Sequence, residues 1–136
     1  MLGFQAAMEK RGAFEPKFVF EGDYTSDSGF KMMQKAIDTL GDQLPTAFFV
    51  ANDPMAAGAL KALQANGIEV PKRVKIFSFN NTSLATYVYP ELSAVNVDTE
   101  LMGATAVNLV MSRLTGRTTT QRVELDTKLV ERASTK

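Results

Sequence analysis

Two side-chain amides close two strand-like runs of this chain. Ala47-Phe48-Phe49-Val50-Ala51 leads into Asn52-Asp53-Pro54, and Val74-Lys75-Ile76-Phe77-Ser78-Phe79 leads into Asn80-Asn81-Thr82. If both runs are parallel strands of one sheet, both amides stand at its carboxyl edge, where open α/β sheets bind small molecules. An amide offers N–H donors and a carbonyl acceptor, a set that matches vicinal hydroxyls. Asn is equally favoured at helix N-caps and turns, so spacing alone leaves the two roles open. Tyr24 follows a third strand-like run, Lys17–Glu21, which puts an aromatic ring at the same edge. Such a ring can stack on a sugar face or a base, or sit half-buried in its loop. Neither GxGxxG nor GxxxxGK[ST] occurs, so a neutral, hydroxyl-bearing ligand fits better than a nucleotide.

Other chemistries have little to work with. The chain contains no Cys and no His, which removes thiol nucleophiles, disulfides, Cys/His zinc sites and histidine bases. No EF-hand spacing is present, and neither a metal nor a cofactor is expected. Asp23, Asp27, Asp53 and Asp98 are the carboxylates near element ends, and the last three read as helix starts, where the macrodipole favours an acid. No paired-carboxylate spacing or activated nucleophile accompanies them, so catalysis is not expected. Lys plus Arg equals Asp plus Glu at 15 each, which leaves no overall basic field for nucleic acid or anionic lipid. Arg113, Arg117, Arg122 and Arg132 read as a scattered surface set. No apolar run approaches the roughly 20 residues that span a bilayer, and residues 1–5 lack the features of a signal peptide.

The elements that must position these residues follow from periodicity and punctuation. The chain has 136 residues, 45% apolar and 22% charged, which suits one domain or a large piece of one. Leu2 to Arg11 reads as the tail of a helix stopped by Gly12, with no capping residue before it, which marks Met1 as a boundary. A strand over Lys17–Glu21 precedes a helix from Asp27 to Leu40 with Phe30, Met33, Ile37 and Leu40 on one face and Gly41 as its stop. The strand Ala47–Ala51 leads to a helix with Pro54 at its first position, Met55, Ala59, Leu60 and Leu63 inward, and Gly67 at its end. The strand Val74–Phe79 completes β-α-β-α-β with short connections, the pattern of a right-handed parallel sheet. Then come a short run, Ser93–Val97, a long helix from Asp98 to Leu114 closed by Gly116, and two short terminal strands, Arg122–Leu125 and Lys128–Glu131.

The string PTAFFVANDPMAAGALKALQANGIEVPKRVKIFSFNN resembles the effector-binding region of the LacI/GalR family of bacterial transcription regulators. The likeness continues through Tyr87, Pro90-Glu91-Leu92-Ser93-Ala94-Val95 and Met102-Gly103 to the closing Leu129-Val130-Glu131-Arg132-Ala133-Ser134-Thr135. It covers nearly the whole chain with several independent motifs in the family's order. It implies an α/β, periplasmic-binding-protein-like (type I) lobe, a Rossmann-like parallel sheet flanked by helices. The lobe would be incomplete, mainly the C-terminal subdomain. Residues 1–97 would form that subdomain without its first strand, 98–118 a helix crossing to the N-terminal subdomain, and 119–136 the return strands; the DNA-binding headpiece would be absent.

By the same resemblance Asn52, Asn80 and Tyr24 are the ligand-binding residues. Asn80-Asn81 stands where the family usually has two Asp, and Ser78-Phe79 precedes it where Gly and an aromatic are usual. The implied ligand is a sugar, galactoside-like, and the implied assembly is a homodimer in the cytoplasm with Tyr87, Phe30 and Met55 at its interface. Operator DNA would be bound only through the missing N-terminal domain, and no membrane is involved. Two rivals share features: a periplasmic sugar-binding protein of a transporter, with the same fold and strand ends, and a sugar-processing enzyme, which predicts turnover. The closing LVERAST string favours the repressor.

Overall fold

The computed structural model describes residues 2–136; Met1, the expected boundary, lies outside the described residues. Helix α1 spans Leu2–Glu9, a 3-10 turn follows at Pro16–Phe18, and α2 spans Ser26–Leu40. Strand β1 is Ala47–Phe49, α3 is Asp53–Ala65, β2 is Lys75–Asn80 and the short α4 is Leu84–Tyr87. Strand β3 is Ser93–Asn96, α5 is Thr99–Leu114 and β4 is Lys128–Val130. The sheet order is β1-β2-β3-β4, parallel for the first three strands and antiparallel between β3 and β4. The expected α/β sheet with its carboxyl edge shared by Asn52 and Asn80 is therefore present.

Local chemistry explains where the helices start and stop. Thr25 caps α2 by accepting from the Ser28 N–H at 3.1 Å, and Asp98 caps α5 by accepting from the Leu101 N–H at 2.9 Å. Gly12, Gly41, Gly67 and Gly116, the four expected stops, all adopt positive φ, between +50° and +110°. Helices α2 and α3 pack on the sheet face that carries Phe48 and Ile76, and Met33, Ala36, Leu60, Leu63, Val74 and Leu92 fill the core between them. On the opposite face Phe4 of α1 stacks on Phe49 at 5.5 Å between ring centroids, and Phe49 on Phe77 at 6.4 Å.

Close approach of α2 to α3 depends on two glycines. A methyl group added at Gly29 would lie 2.1 Å from the Met55 carbonyl oxygen, and one at Gly58 would lie 1.9 Å from that of Ser26. Met55 is consequently 7% exposed and faces α2. It is a core side chain, as its helical spacing suggested. Phe30 packs partly buried against the same core, whereas Tyr87 is 84% exposed.

Two expected strands do not form. Lys17–Glu21 becomes the 3-10 turn followed by extended chain, and Arg122–Leu125 is irregular. A strand exists only where its backbone pairs with a neighbour, and neither segment pairs with a strand among the described residues. Between residues 18–22 and β1 lies an apolar groove of about 420 Å³, lined by Phe18, Phe20, Phe48, Val50, Met33 and Met55 among others. Helix α5 is well formed but buries none of its residues, so its apolar side chains are left open in this chain.

The chain end is laced into the sheet. The Ser134 hydroxyl donates to the Ile76 carbonyl at 2.6 Å and accepts from the Ser93 N–H at 2.8 Å, bridging β2 and β3. The Ser93 hydroxyl accepts from the Arg132 N–H at 2.7 Å, and the Arg132 guanidinium donates to the Leu92 carbonyl at 2.7 Å. Arg132 is thus a fastening rather than a surface charge. Arg113 and Arg117 also turn inward on their own backbone, donating to carbonyls of Arg117, Thr118, Thr119 and Leu109 around the end of α5.

Candidate functional site

The carboxyl edge gathers side chains from four loops. Asn52 follows β1, Asn80-Asn81-Thr82 closes β2, Asn96 ends β3, and Tyr24 precedes α2. Asn52 takes the capping role that its spacing allowed and also braces the Tyr24 loop. Its Oδ1 accepts from the Met55 N–H at 2.9 Å as the cap of α3, and its Nδ2 donates to the Tyr24 carbonyl at 2.9 Å. One N–H and one lone pair of that amide remain free for a ligand.

Asn80 and Asn81 differ sharply. The Asn81 Nδ2 donates to the Asn96 Oδ1 at 2.7 Å, and its own Oδ1 is buried without a partner among the described residues. The Asn80 side chain makes no hydrogen bond to any described residue, while its backbone carbonyl accepts from the Val97 N–H at 3.4 Å. It is half-buried at the strand end. Of the two, Asn80 is the one with its whole hydrogen-bonding capacity available.

Three non-glycine residues among those described have positive φ: Tyr24 at +67°, Asn80 at +97° and Asn81 at +57°. All three lie at this edge. Asn tolerates the left-handed region because its short polar side chain bonds locally, but a Tyr there is an outlier. Backbone held in such regions persists where the surroundings over-determine it, and it clusters at ligand clamps. Tyr24 is 65% exposed, so its ring stands in the open at the edge.

The four candidate carboxylates, Asp23, Asp27, Asp53 and Asp98, are all engaged within the protein. Asp23 Oδ1 accepts from the Thr25 hydroxyl at 2.6 Å and from the Thr25 N–H at 3.1 Å. The Thr25 hydroxyl, then its N–H, hold the Asp23 carboxyl below its ordinary value. Asp27 pairs with Lys31 on the exposed side of α2. Asp53 is completely buried: its Oδ1 accepts from the Ser78 hydroxyl at 2.5 Å, and its Oδ2 accepts from the Thr82 N–H at 2.6 Å and the Thr82 hydroxyl at 2.8 Å. Among the described residues no group of three His, Cys, Asp or Glu could hold a metal ion. What these residues offer a ligand at this edge is an aromatic ring and neutral amides, a hydrogen-bonding surface.

Sequence reasoning brought Asn52, Asn80 and Tyr24 to one edge and the structure keeps them there. It assigned Asp53 to a helix start alone and passed over Thr82 and Asn96. A signal for Asn96 was available, since it is a third amide at a strand end. The Ser at position 78, noted as a departure from Gly, marks the hydroxyl that Asp53 receives.

The periplasmic binding protein-like domain model matches residues 1–135. The HTH-type transcriptional regulator GalR of Streptococcus thermophilus is 47% identical over 130 residues, covering 95% of this chain and 39% of the relative. The transcriptional regulator CelR–cellobiose complex superposes with a TM-score of 0.88 at 34% identity, covering 97% of this chain and 40% of that one. The lac repressor dimer bound to operator and the anti-inducer ONPF superposes with a TM-score of 0.89 at 26% identity, over 98% of this chain and 46% of that one. The chain spans about 40% of the length of the curated relatives it matches.

Proposed function

We propose, since the chain belongs to the periplasmic binding protein-like domain family and within it to the LacI/GalR-type transcriptional regulators, that it is the effector-binding and dimerisation part of a sugar-responsive repressor. The regulator reading is favoured over the transporter-binding one because the matched relatives are transcriptional regulators. The observation that carries the sugar reading is the amide edge: Asn52 with part of its capacity free, Asn80 with all of it, and the open ring of Tyr24 beside them. Neutral amides and an aromatic face suit the hydroxyls and the C–H face of a neutral sugar. The GalR relatives make a galactoside the first to test, and cellobiose, named in the CelR complex, the control.

In this reading a sugar between two lobes favours one arrangement of them, and that arrangement alters operator binding by a headpiece outside this chain. A useful switch needs a differential affinity of about 1–3 kcal/mol between the two states. Residues 98–118 cross to the other lobe, residues 119–136 return, and the exposed Tyr87 sits in the dimer contact. The protein works in the cytoplasm beside its operator; no helix among the described residues is long and apolar enough to cross a membrane.

The test is calorimetry on the full-length protein with D-galactose, lactose, melibiose and cellobiose. Asn80→Ala should lower affinity by about 0.5–1.5 kcal/mol, a lost hydrogen bond, and cost stability only through the strain of Ala at a positive φ, because that side chain has no internal partner. Asn52→Ala should lower both, since it removes a cap worth about 1 kcal/mol as well, and Asn81→Ala should cost affinity less than Asn52→Ala. Wild-type affinity retained by both Asn52→Ala and Asn80→Ala would refute the site.

A further inference from the structure

Asp53 is fully buried although a helix start needs no buried carboxyl group. Capping and the helix dipole act well at exposed positions. No Lys or Arg pairs with Asp53 among the described residues. Its three hydrogen bonds all lead away from its own helix, to Ser78 and Thr82, residues 25 and 29 positions further along the chain. Burial of an unpaired carboxyl group is unfavourable unless such bonds satisfy it, so the arrangement has a structural purpose beyond starting α3.

The residues between those two anchor points supply it. Ser78 and Thr82 bracket Asn80 and Asn81, both held at positive φ. From the other side Asn96 of β3 receives the Asn81 amide. The turn is therefore clamped at Ser78 and Thr82 by Asp53 and at Asn81 by Asn96, and the one side chain in it with no bond to the protein is that of Asn80. The neighbouring Asn52 braces the Tyr24 loop in the same way through the Tyr24 carbonyl. Asn52-Asp53 thus reaches both flanking loops that carry the left-handed residues.

We infer that Asp53 is a positioning residue for ligand binding: its carboxyl group locks the 80–82 turn so that the Asn80 amide is left unpaired and held where a ligand hydroxyl can reach it. This rests on the sugar-edge reading above for the identity of what Asn80 meets, but the locking of the turn is a property of the protein alone.

The two parts separate experimentally in the full-length protein. Asp53→Ala should accelerate amide hydrogen exchange at Asn81 and Thr82 more than tenfold relative to Ile76 and Phe77 in β2. It should also weaken binding of whichever of the four sugars the wild type binds by at least tenfold. In an Asn80→Ala background the same change should alter that affinity less than twofold, because the residue it positions is gone; a purely stabilising role would not vanish in this way. Asp53→Asn, whose amide can accept from Thr82 and donate to Ser78, should restore most of the affinity. If Asp53→Ala does not fold, Thr82→Val at the exposed end of the clamp removes one of the three bonds, and a two- to fivefold weakening that depends on Asn80 is expected. Unchanged exchange at residues 81–82, or an affinity loss as large without Asn80 as with it, overturns the proposal. Should the wild type bind none of the sugars, the sugar reading fails while the exchange measurement still decides the role of Asp53.

Discussion

Tyr24 shows most directly what the ligand edge demands of single residues. At φ +67° its side chain crowds its own backbone, a cost of about 1–3 kcal/mol that glycine would avoid. Tyr24→Gly should therefore raise the unfolding free energy by about 1 kcal/mol while weakening sugar binding, as read by urea unfolding and calorimetry. A variant that loses stability and keeps its affinity would show that the ring is there for packing. The identity of the edge residues was legible because an amide after a strand is visible in one short string. Whether Asn80 or Asn81 is the free one was not legible from spacing and came only with the resemblance, since it depends on Asn96, a strand away. The same distance hid Asp53, whose partners lie 25 and 29 positions along the chain.

Elements were legible where their cause is local. The apolar spacing of Met55, Ala59, Leu60 and Leu63 defines the buried side of α3, and all four are buried. Lys17–Glu21 has the alternation of a strand but does not pair with β1 beside it, and pairing is a property of two segments. Nor does periodicity reveal that Gly29 and Gly58 set the distance between α2 and α3. Gly29→Ala should destabilise by about 1–3 kcal/mol or more, because the added methyl meets backbone of Met55 rather than a side chain that can turn away. Gly103→Ala, with open space around it in α5, should stabilise by about 0.8–1 kcal/mol. Thermal unfolding of the two variants checks both signs; equal shifts would mean that the helices separate freely.

At the scale of the molecule, α5 exposes Val107, Val110, Met111 and Leu114 along one well-formed helix. If residues 98–118 cross to another lobe, that face is covered only in the longer protein. Val110→Glu should then shift the stability of this chain by less than about 0.5 kcal/mol yet lower the melting temperature of the full-length protein by several degrees; similar small effects in both would remove the crossing helix from the scheme. The groove beside β1 has a consequence for handling. Strand β1 pairs with β2 on one side and with no strand among the described residues on the other, and such an edge templates association with other chains. Solutions of the chain by itself should therefore scatter light increasingly with concentration, and Ala47→Lys, at an exposed position on that edge, should suppress the scattering without loss of helicity. Shelf life of the isolated chain would then be set by one three-residue strand and the sticky flank it leaves to its neighbours in the tube.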